Sequence, residues 1–169
     1  MYNQQSASPG SSASSLQDIS NSWINALTKP YVPVYQQEAA RATQNRILIN
    51  VGIATAVAVL LGILGGLGGN MLGNVLGSLI LTPLMFAIQV AVLYVASRAL
   101  GGTGTLEQQA WVQSTYWVPI LMLRAIPIVG GFLYMIGWLY SLYLTYITVQ
   151  TVHRLQSTQA ILAMVLAFV

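Results

Sequence analysis

Three long apolar stretches without a charged residue dominate the pattern of hydrophobic and polar positions along the chain. They cover residues 47–69, 75–97 and 128–150. Each exceeds the roughly 20 residues that an α-helix needs to cross a hydrocarbon core about 30 Å thick. The pattern therefore predicts an all-α fold, that of a polytopic helical membrane protein.

Turn and helix signals divide the chain into four to five transmembrane helices. One uninterrupted helix from Ile47 to Arg98 would be about 78 Å long, so the chain must turn near residues 68–70. The last apolar segment gives only about 18 Å of helix, and whether it spans the bilayer stays open. The expected segments are residues 47–69, 71–100, 108–125, about 128–150 and 158–169.

Glycine recurs every fourth residue on both sides of the first turn, at Gly65, Gly69, Gly73 and Gly77. Small residues at this spacing let helix backbones approach closely in lipid. Glycine and asparagine also tolerate the positive φ angles of tight turns. We therefore expect a tight hairpin whose two arms pack closely beside the turn.

The polar N-terminal region falls into two parts ahead of a transmembrane domain, residues 47–169. Residues 1–21 have low complexity and bury too little apolar area to offset the entropy of ordering, so we expect a tail that is disordered or ordered only by a partner. Residues 22–46 carry apolar side chains at spacings of three and four, and prolines interrupt them. We expect this part to be an amphipathic segment in the headgroup layer. Its apolar positions are Trp23, Leu27, Tyr31 and Val34.

Charge affects orientation more than chemistry in this chain. Charged residues make up only 5% of it, against roughly 25% in a soluble domain. The net charge of +3 is too small and too widely spread to predict nucleic-acid binding. All positive residues except Arg124 fall on one side of the predicted bundle: Lys29, Arg41, Arg46, Arg98 and Arg154. The positive-inside rule then predicts a multi-pass protein of the cell (inner) membrane with a cytoplasmic N-terminus.

The stretch "RALGGTGTLEQQAW", residues 98–111, resembles a phosphate-binding loop at first sight. A P-loop needs a lysine and a serine or threonine after its last glycine, and the lysine is missing. A helix boundary explains the residues better, with Gly101 or Gly102 ending one helix. Thr105 and Gln108 have the spacing of a capping box, which starts the next helix. We interpret this stretch as a hinge.

No residues form a recognisable catalytic or cofactor site, so we expect neither an enzyme nor a cofactor or metal. His153 is the only histidine, and no cysteine or carboxylate lies near it in sequence. Trp138 and Tyr140 serve either helix packing or a groove for lipid, quinone or another subunit. Arg124 either snorkels to the headgroups or binds a lipid phosphate. The candidates for contact with lipid or a partner are Arg124, Trp138, Tyr140, His153 and Arg154.

The order of several weak motifs resembles the Yip (Ypt-interacting protein) domain family over roughly residues 22–169. The motifs are "SWINALTKPYVPVY", a glycine-rich hairpin, "GGTGTLEQQ", "YWVPILML", "IPIVGG", a Trp/Tyr-rich span and "TVHRLQSTQAILAMVLAFV". The resemblance implies a bundle of about five membrane helices with a cytoplasmic N-terminus. Eukaryotic members are associated with small GTPases and vesicle traffic and carry a "DLYGP"-type motif, which this chain lacks. The chain is therefore similar to the prokaryotic-type branch.

Two functional hypotheses remain open at the level of sequence. The first is a non-catalytic membrane scaffold or interaction protein, in a sharper form an accessory subunit of a respiratory or photosynthetic electron-transfer complex. The alternative is a small transporter or lipid-handling protein with Gln89, Arg124 and Trp138 around a cavity. Expected partners are membrane lipids and other membrane-protein subunits or further copies of this chain, with no nucleic acid.

Overall fold

The computed structural model describes residues 16–168, and these form a bundle of α-helices with no strand among them. The helices are α1 (Leu16–Thr28), α2 (Val32–Ala40), α3 (Gln44–Gly65), α4 (Met71–Ala99), α5 (Leu106–Met122), α6 (Gly130–His153) and α7 (Ser157–Phe168), with a 3₁₀ turn at Leu123–Ala125. The all-α prediction is confirmed.

Three helices, α3, α4 and α6, are long and apolar enough to cross a membrane, with 22, 29 and 24 residues. The 17 residues of α5 and the 12 of α7 make shorter helices. The polytopic class is therefore confirmed, and three of the four to five expected crossings reach spanning length by composition.

The first hairpin turns where the length argument places it. Helix α3 ends at Gly65, and the N–H of Gly66 donates to the carbonyls of Gly62 at 3.0 Å and Ile63 at 3.1 Å. Gly69 has a φ of +141°, which only glycine adopts readily. Helix α3 therefore ends four residues before Gly69, the predicted end of the first span, and helix α4 begins at Met71. We call the end of the bundle at this turn and at the 3₁₀ turn the hairpin end.

Helix α5 forms the centre of the bundle. Every residue from Gln109 to Tyr116 is buried. Helices α1, α2, α3, α4 and α6 all pack against it. Because its polar side chains are enclosed by other helices, α5 need not carry the continuous apolar surface of a lipid-facing span.

The N-terminal segment packs into the bundle, where α1 lies against α5 and α2 lies against α5 and α6. Its position in the headgroup layer stays a prediction. Helix α1 begins at Leu16 and buries Ile19, so it starts inside the tail predicted over residues 1–21. Residues 1–15 of that tail lie outside the described residues. The Tyr140 hydroxyl donates to the Leu27 carbonyl at 2.8 Å, which brings the end of α1 to the middle of α6.

Candidate functional site

The hinge after α4 forms a tight connection that is closed against α6. Gly101 has a φ of +91°, and Gly102 donates its N–H to the Ser97 carbonyl at 2.9 Å. A Cβ on Gly102 would lie 2.7 Å from that carbonyl and 2.8 Å from the Cβ of His153, so only glycine fits there. Both glycines therefore serve the geometry of the connection.

A capping box starts α5. The Thr105 hydroxyl accepts the N–H of Gln108 at 3.2 Å, and the Gln108 side-chain oxygen accepts the N–H of Thr105 at 3.1 Å. Each bond satisfies a backbone N–H at a helix N-terminus, where four such groups lack intrahelical partners. In the stretch that resembles a phosphate-binding loop, the side chains of Thr105 and Gln108 therefore bond to each other's backbone N–H groups.

His153, a candidate for contact with lipid or a partner, is instead buried within the chain at 1% exposure. Its ring Nε2 lies 3.1 Å from Oε1 of Gln109, whose own side-chain N–H donates to Oε1 of Gln113 at 3.1 Å. The His153 carbonyl accepts the N–H of Thr103 at 3.1 Å. The histidine therefore ties α6 to α5 and to the hinge.

A second buried polar chain links α1, α3 and α5. Asn50, fully buried, accepts the indole N–H of Trp23 at 3.0 Å and donates to the Ser114 hydroxyl at 2.8 Å. We did not single out Asn50 from the sequence, although a lone amide within an apolar span is a recognisable signal for an interhelical hydrogen bond.

Of the other candidates for contact with lipid or a partner, one packs inside the bundle and two lie on its surface. Tyr140 is half-buried and bonded to α1, so its hydroxyl serves packing within the chain. Trp138 is 47% exposed on the outer face of α6. Arg154, also exposed, follows α6 with a φ of +55°. Trp138 and Arg154 thus remain candidates for contact with lipid or a partner.

The predicted packing glycines do not make the closest approach within the chain. A Cβ at Gly65, Gly69 or Gly77 would meet nothing within 4 Å, and at Gly73 it would meet the side chain of Asn70. The close approach falls on Gly62, where a Cβ would lie 3.0 Å from the Asn74 carbonyl oxygen. The four-residue spacing predicts a helix face of small residues. Which glycine contacts the opposite arm of the hairpin depends on how α3 is rotated about its axis.

Arg124 lies at the hairpin end, beside a crevice of about 490 Å³ between α3, α4 and the end of α5. Its guanidinium stands over the Tyr134 ring, with the guanidinium carbon 5.2 Å from the ring centre. A Cβ on Gly130 would lie 2.7 Å from the Leu123 carbonyl, so the start of α6 packs tightly onto the 3₁₀ turn that carries Arg124. This packing fixes the backbone of Arg124, whose exposed side chain reaches the crevice.

Gln89 is exposed on the outer face of α4 and makes no hydrogen bond to residues 16–168. It borders an apolar groove of about 300 Å³ formed with α6 and α7. That groove does not include Arg124, and Trp138 borders neither the groove nor the Arg124 crevice. The expectation that Gln89, Arg124 and Trp138 surround one cavity is therefore wrong, because the three side chains point from different faces of the bundle.

These features define an all-α membrane protein in which long apolar helices enclose a short polar one. The chain matches the Yip1 domain over residues 24–169 and belongs to that family. The resemblance is therefore confirmed, whereas the assignment to a prokaryotic-type branch stays a prediction. No curated protein and no solved structure matches the chain.

Proposed function

We propose that this chain is a non-catalytic scaffold that binds another membrane subunit through the outer face of α4. In its finer form, it is an accessory subunit of a larger membrane assembly, such as a respiratory or photosynthetic electron-transfer complex. The observation that carries the proposal is the unpaired amide of Gln89 on a face that is otherwise apolar.

The position of Gln89 makes its lack of a partner costly in lipid. It lies ten residues before the last residue of α4, Ala99, which is about 15 Å along the helix axis. An amide without a hydrogen bond in hydrocarbon costs about 2–7 kcal/mol, and a polar group on a neighbouring helix removes that cost. A second transmembrane segment that carries a hydrogen-bonding side chain supplies such a partner.

The surface around Gln89 has the shape that such a segment needs. Met85, Ile88 and Val92 form one side of the groove, and Ala167 of α7 forms part of the other. Val92 also borders a second groove of about 360 Å³, which continues towards Val95 and Leu166. Together these grooves follow α4 for several turns, which suits a helix packed lengthwise.

Purification in a mild detergent tests the proposal. We expect the chain to co-purify with a different membrane protein in fixed stoichiometry, and Gln89→Leu to release that protein. Gln44→Leu is the matched control, because Gln44 is an exposed glutamine on the first turn of α3 and does not border the groove. A homo-oligomer contradicts the accessory-subunit form, and a monomer that Gln89→Leu does not alter contradicts the whole proposal.

We also propose that the chain lies in the cell (inner) membrane with its N-terminus in the cytoplasm. Four positive residues support this orientation, because they lie at the end of the bundle opposite the uncharged turn at residues 66–70: Arg41, Arg46, Arg98 and Arg154. A reporter fused to the N-terminus that is active only in the cytoplasm tests this orientation. Activity of the same reporter when placed in the turn at residues 66–70 would overturn it.

A further inference from the structure

The crevice at the hairpin end is lined by polar side chains that have no partner within the described part of the protein. Asn74, Ser78 and Thr82 follow one another at intervals of four residues on α4, so they share one face of the helix. None of their side chains is hydrogen-bonded to residues 16–168. The crevice therefore contains unused donors and acceptors in addition to Arg124.

Other hydroxyls of the long helices behave differently. Thr55 donates to the Val51 carbonyl at 2.8 Å, and Thr148 donates to the Leu144 carbonyl at 2.8 Å. Ser97, on the same helix as the crevice residues, donates to the Leu93 carbonyl at 2.7 Å. Bonding to the carbonyl four residues earlier is the usual way to satisfy a hydroxyl in a membrane helix. Ser78 and Thr82 remain available for a ligand.

The polar side chains of the crevice follow α4 inward from the hairpin end. Asn74 and Thr82 are eight residues apart, or about 12 Å along α4. Thr82 lies eleven residues after Met71, about 16 Å, near the middle of a hydrocarbon core about 30 Å thick. The polar lining thus runs from the hairpin end for about 12 Å along α4 and stops before Pro83.

The charge of the residues around the crevice favours an anionic headgroup that carries no ammonium group. Arg124 is the only charged residue within residues 47–97 and 108–152, so no carboxylate from these segments accompanies it. An arginine binds a phosphate through charge-assisted hydrogen bonds. Since the residues that line the crevice include no acidic group, nothing there holds the ammonium group of an ethanolamine or choline headgroup, whereas hydroxyls and an amide suit a polyol.

We infer that the crevice binds an anionic phospholipid with a hydroxylated headgroup, of the phosphatidylglycerol class, with its phosphate on Arg124. The two headgroup hydroxyls bond to Asn74 and Ser78, which lie one turn apart on α4, and the acyl chains remain in the bilayer. This site lies apart from the α4 groove of the proposed function, so either can fail without the other.

Native mass spectrometry of the full chain tests this site, with phosphatidylglycerol, phosphatidylcholine and phosphatidylethanolamine of equal acyl chains. We expect the wild type to retain phosphatidylglycerol in preference to the other two. Arg124→Gln should weaken that binding on the order of tenfold. The control Lys29→Gln removes one positive charge between α1 and α2, away from the crevice, and should leave binding unchanged.

A variant that fills the crevice tests whether lipid binding needs its space, without a change in charge. A Cβ at Gly77 meets nothing within 4 Å although the residue borders the crevice, so Gly77→Leu fills the space without a backbone clash and should abolish binding. Gly65→Leu is the matched control, since its Cβ also meets nothing but Gly65 does not border the crevice.

Four results would overturn the inference. The first is undiminished phosphatidylglycerol binding by Arg124→Gln or Gly77→Leu, and the second is equal retention of the three lipids. Displacement of the lipid by millimolar inorganic phosphate would reveal a site for free anions instead. A change in oligomeric mass in Gly77→Leu with unchanged lipid adducts would show that the crevice is a contact between protein chains.

Discussion

Asn50 offers the most direct test of how the N-terminal helices are held on the bundle. It joins Trp23 of α1 to Ser114 of α5 through two side-chain hydrogen bonds. In Asn50→Leu, a residue of similar size replaces the amide, so packing is retained while both bonds are lost. Ser114 keeps its own donated bond to the Trp111 carbonyl at 2.7 Å, whereas the indole N–H of Trp23 is left without an acceptor.

The expected cost follows from these losses. Two neutral hydrogen bonds at about 0.5–1.5 kcal/mol each give a destabilisation of about 1–3 kcal/mol for Asn50→Leu. In a double-mutant cycle with Trp23→Phe, which removes the donor, we expect a coupling energy of about 0.6–1.5 kcal/mol. The lower value is the average measured for hydrogen bonds between membrane helices.

Unfolding of the detergent-solubilised protein by sodium dodecyl sulfate, followed by circular dichroism, measures these energies. Limited trypsin digestion gives an independent readout at Arg41, the residue that follows α2. Separation of α1 should loosen α2, which is bonded to it through the Tyr35 hydroxyl and the Ala26 carbonyl, and so speed cleavage after Arg41. A coupling energy of zero, or an unchanged rate of cleavage after Arg41 in Asn50→Leu, would refute the reasoning that this bond docks α1.

Three further predictions concern stability. Gly62→Ala should destabilise the hairpin by about 1–3 kcal/mol, because the added Cβ lies 3.0 Å from a backbone oxygen. The control Gly52→Ala, whose Cβ meets nothing within 4 Å, should raise the free energy of unfolding by about 0.5–1 kcal/mol. Equal thermal stabilities of the two variants would contradict this. Thr105→Ala should cost about 1 kcal/mol and speed amide exchange at the start of α5, and unchanged exchange would exclude the cap. Burial, followed by the nearby Tyr116, raises the pKa of Tyr35 above its ordinary value of 10.0. The stability that Tyr35 contributes is therefore present below pH 10 and is lost as the pH rises further. Between pH 8 and pH 11, the free energy of chemical unfolding should fall less in Tyr35→Phe than in the wild type. Identical decreases in the two proteins would argue against it.

Part of this protein could be foreseen because the determining interactions are local. The start of α5 depends on Thr105 and Gln108, three residues apart, and their bonds form within one turn. The turn near Gly69 follows from helix length alone. By contrast, the burial of His153 could not be foreseen, because its partner, Gln109, lies 44 residues away in sequence, and nothing near His153 indicates that α5 covers it.

The sequence by itself determined that the chain is an all-α membrane protein with a tight first hairpin and a capped hinge, since hydrophobic length and capping bonds act over neighbouring residues. Only the tertiary structure decided that α5 lies at the centre, that Asn50 joins three helices, and that Gln89 and Arg124 face separate cavities. Those facts depend on how each helix is rotated about its axis. For helices that are apolar all round, such as α3 and α4, the hydrophobic pattern carries no information about that rotation.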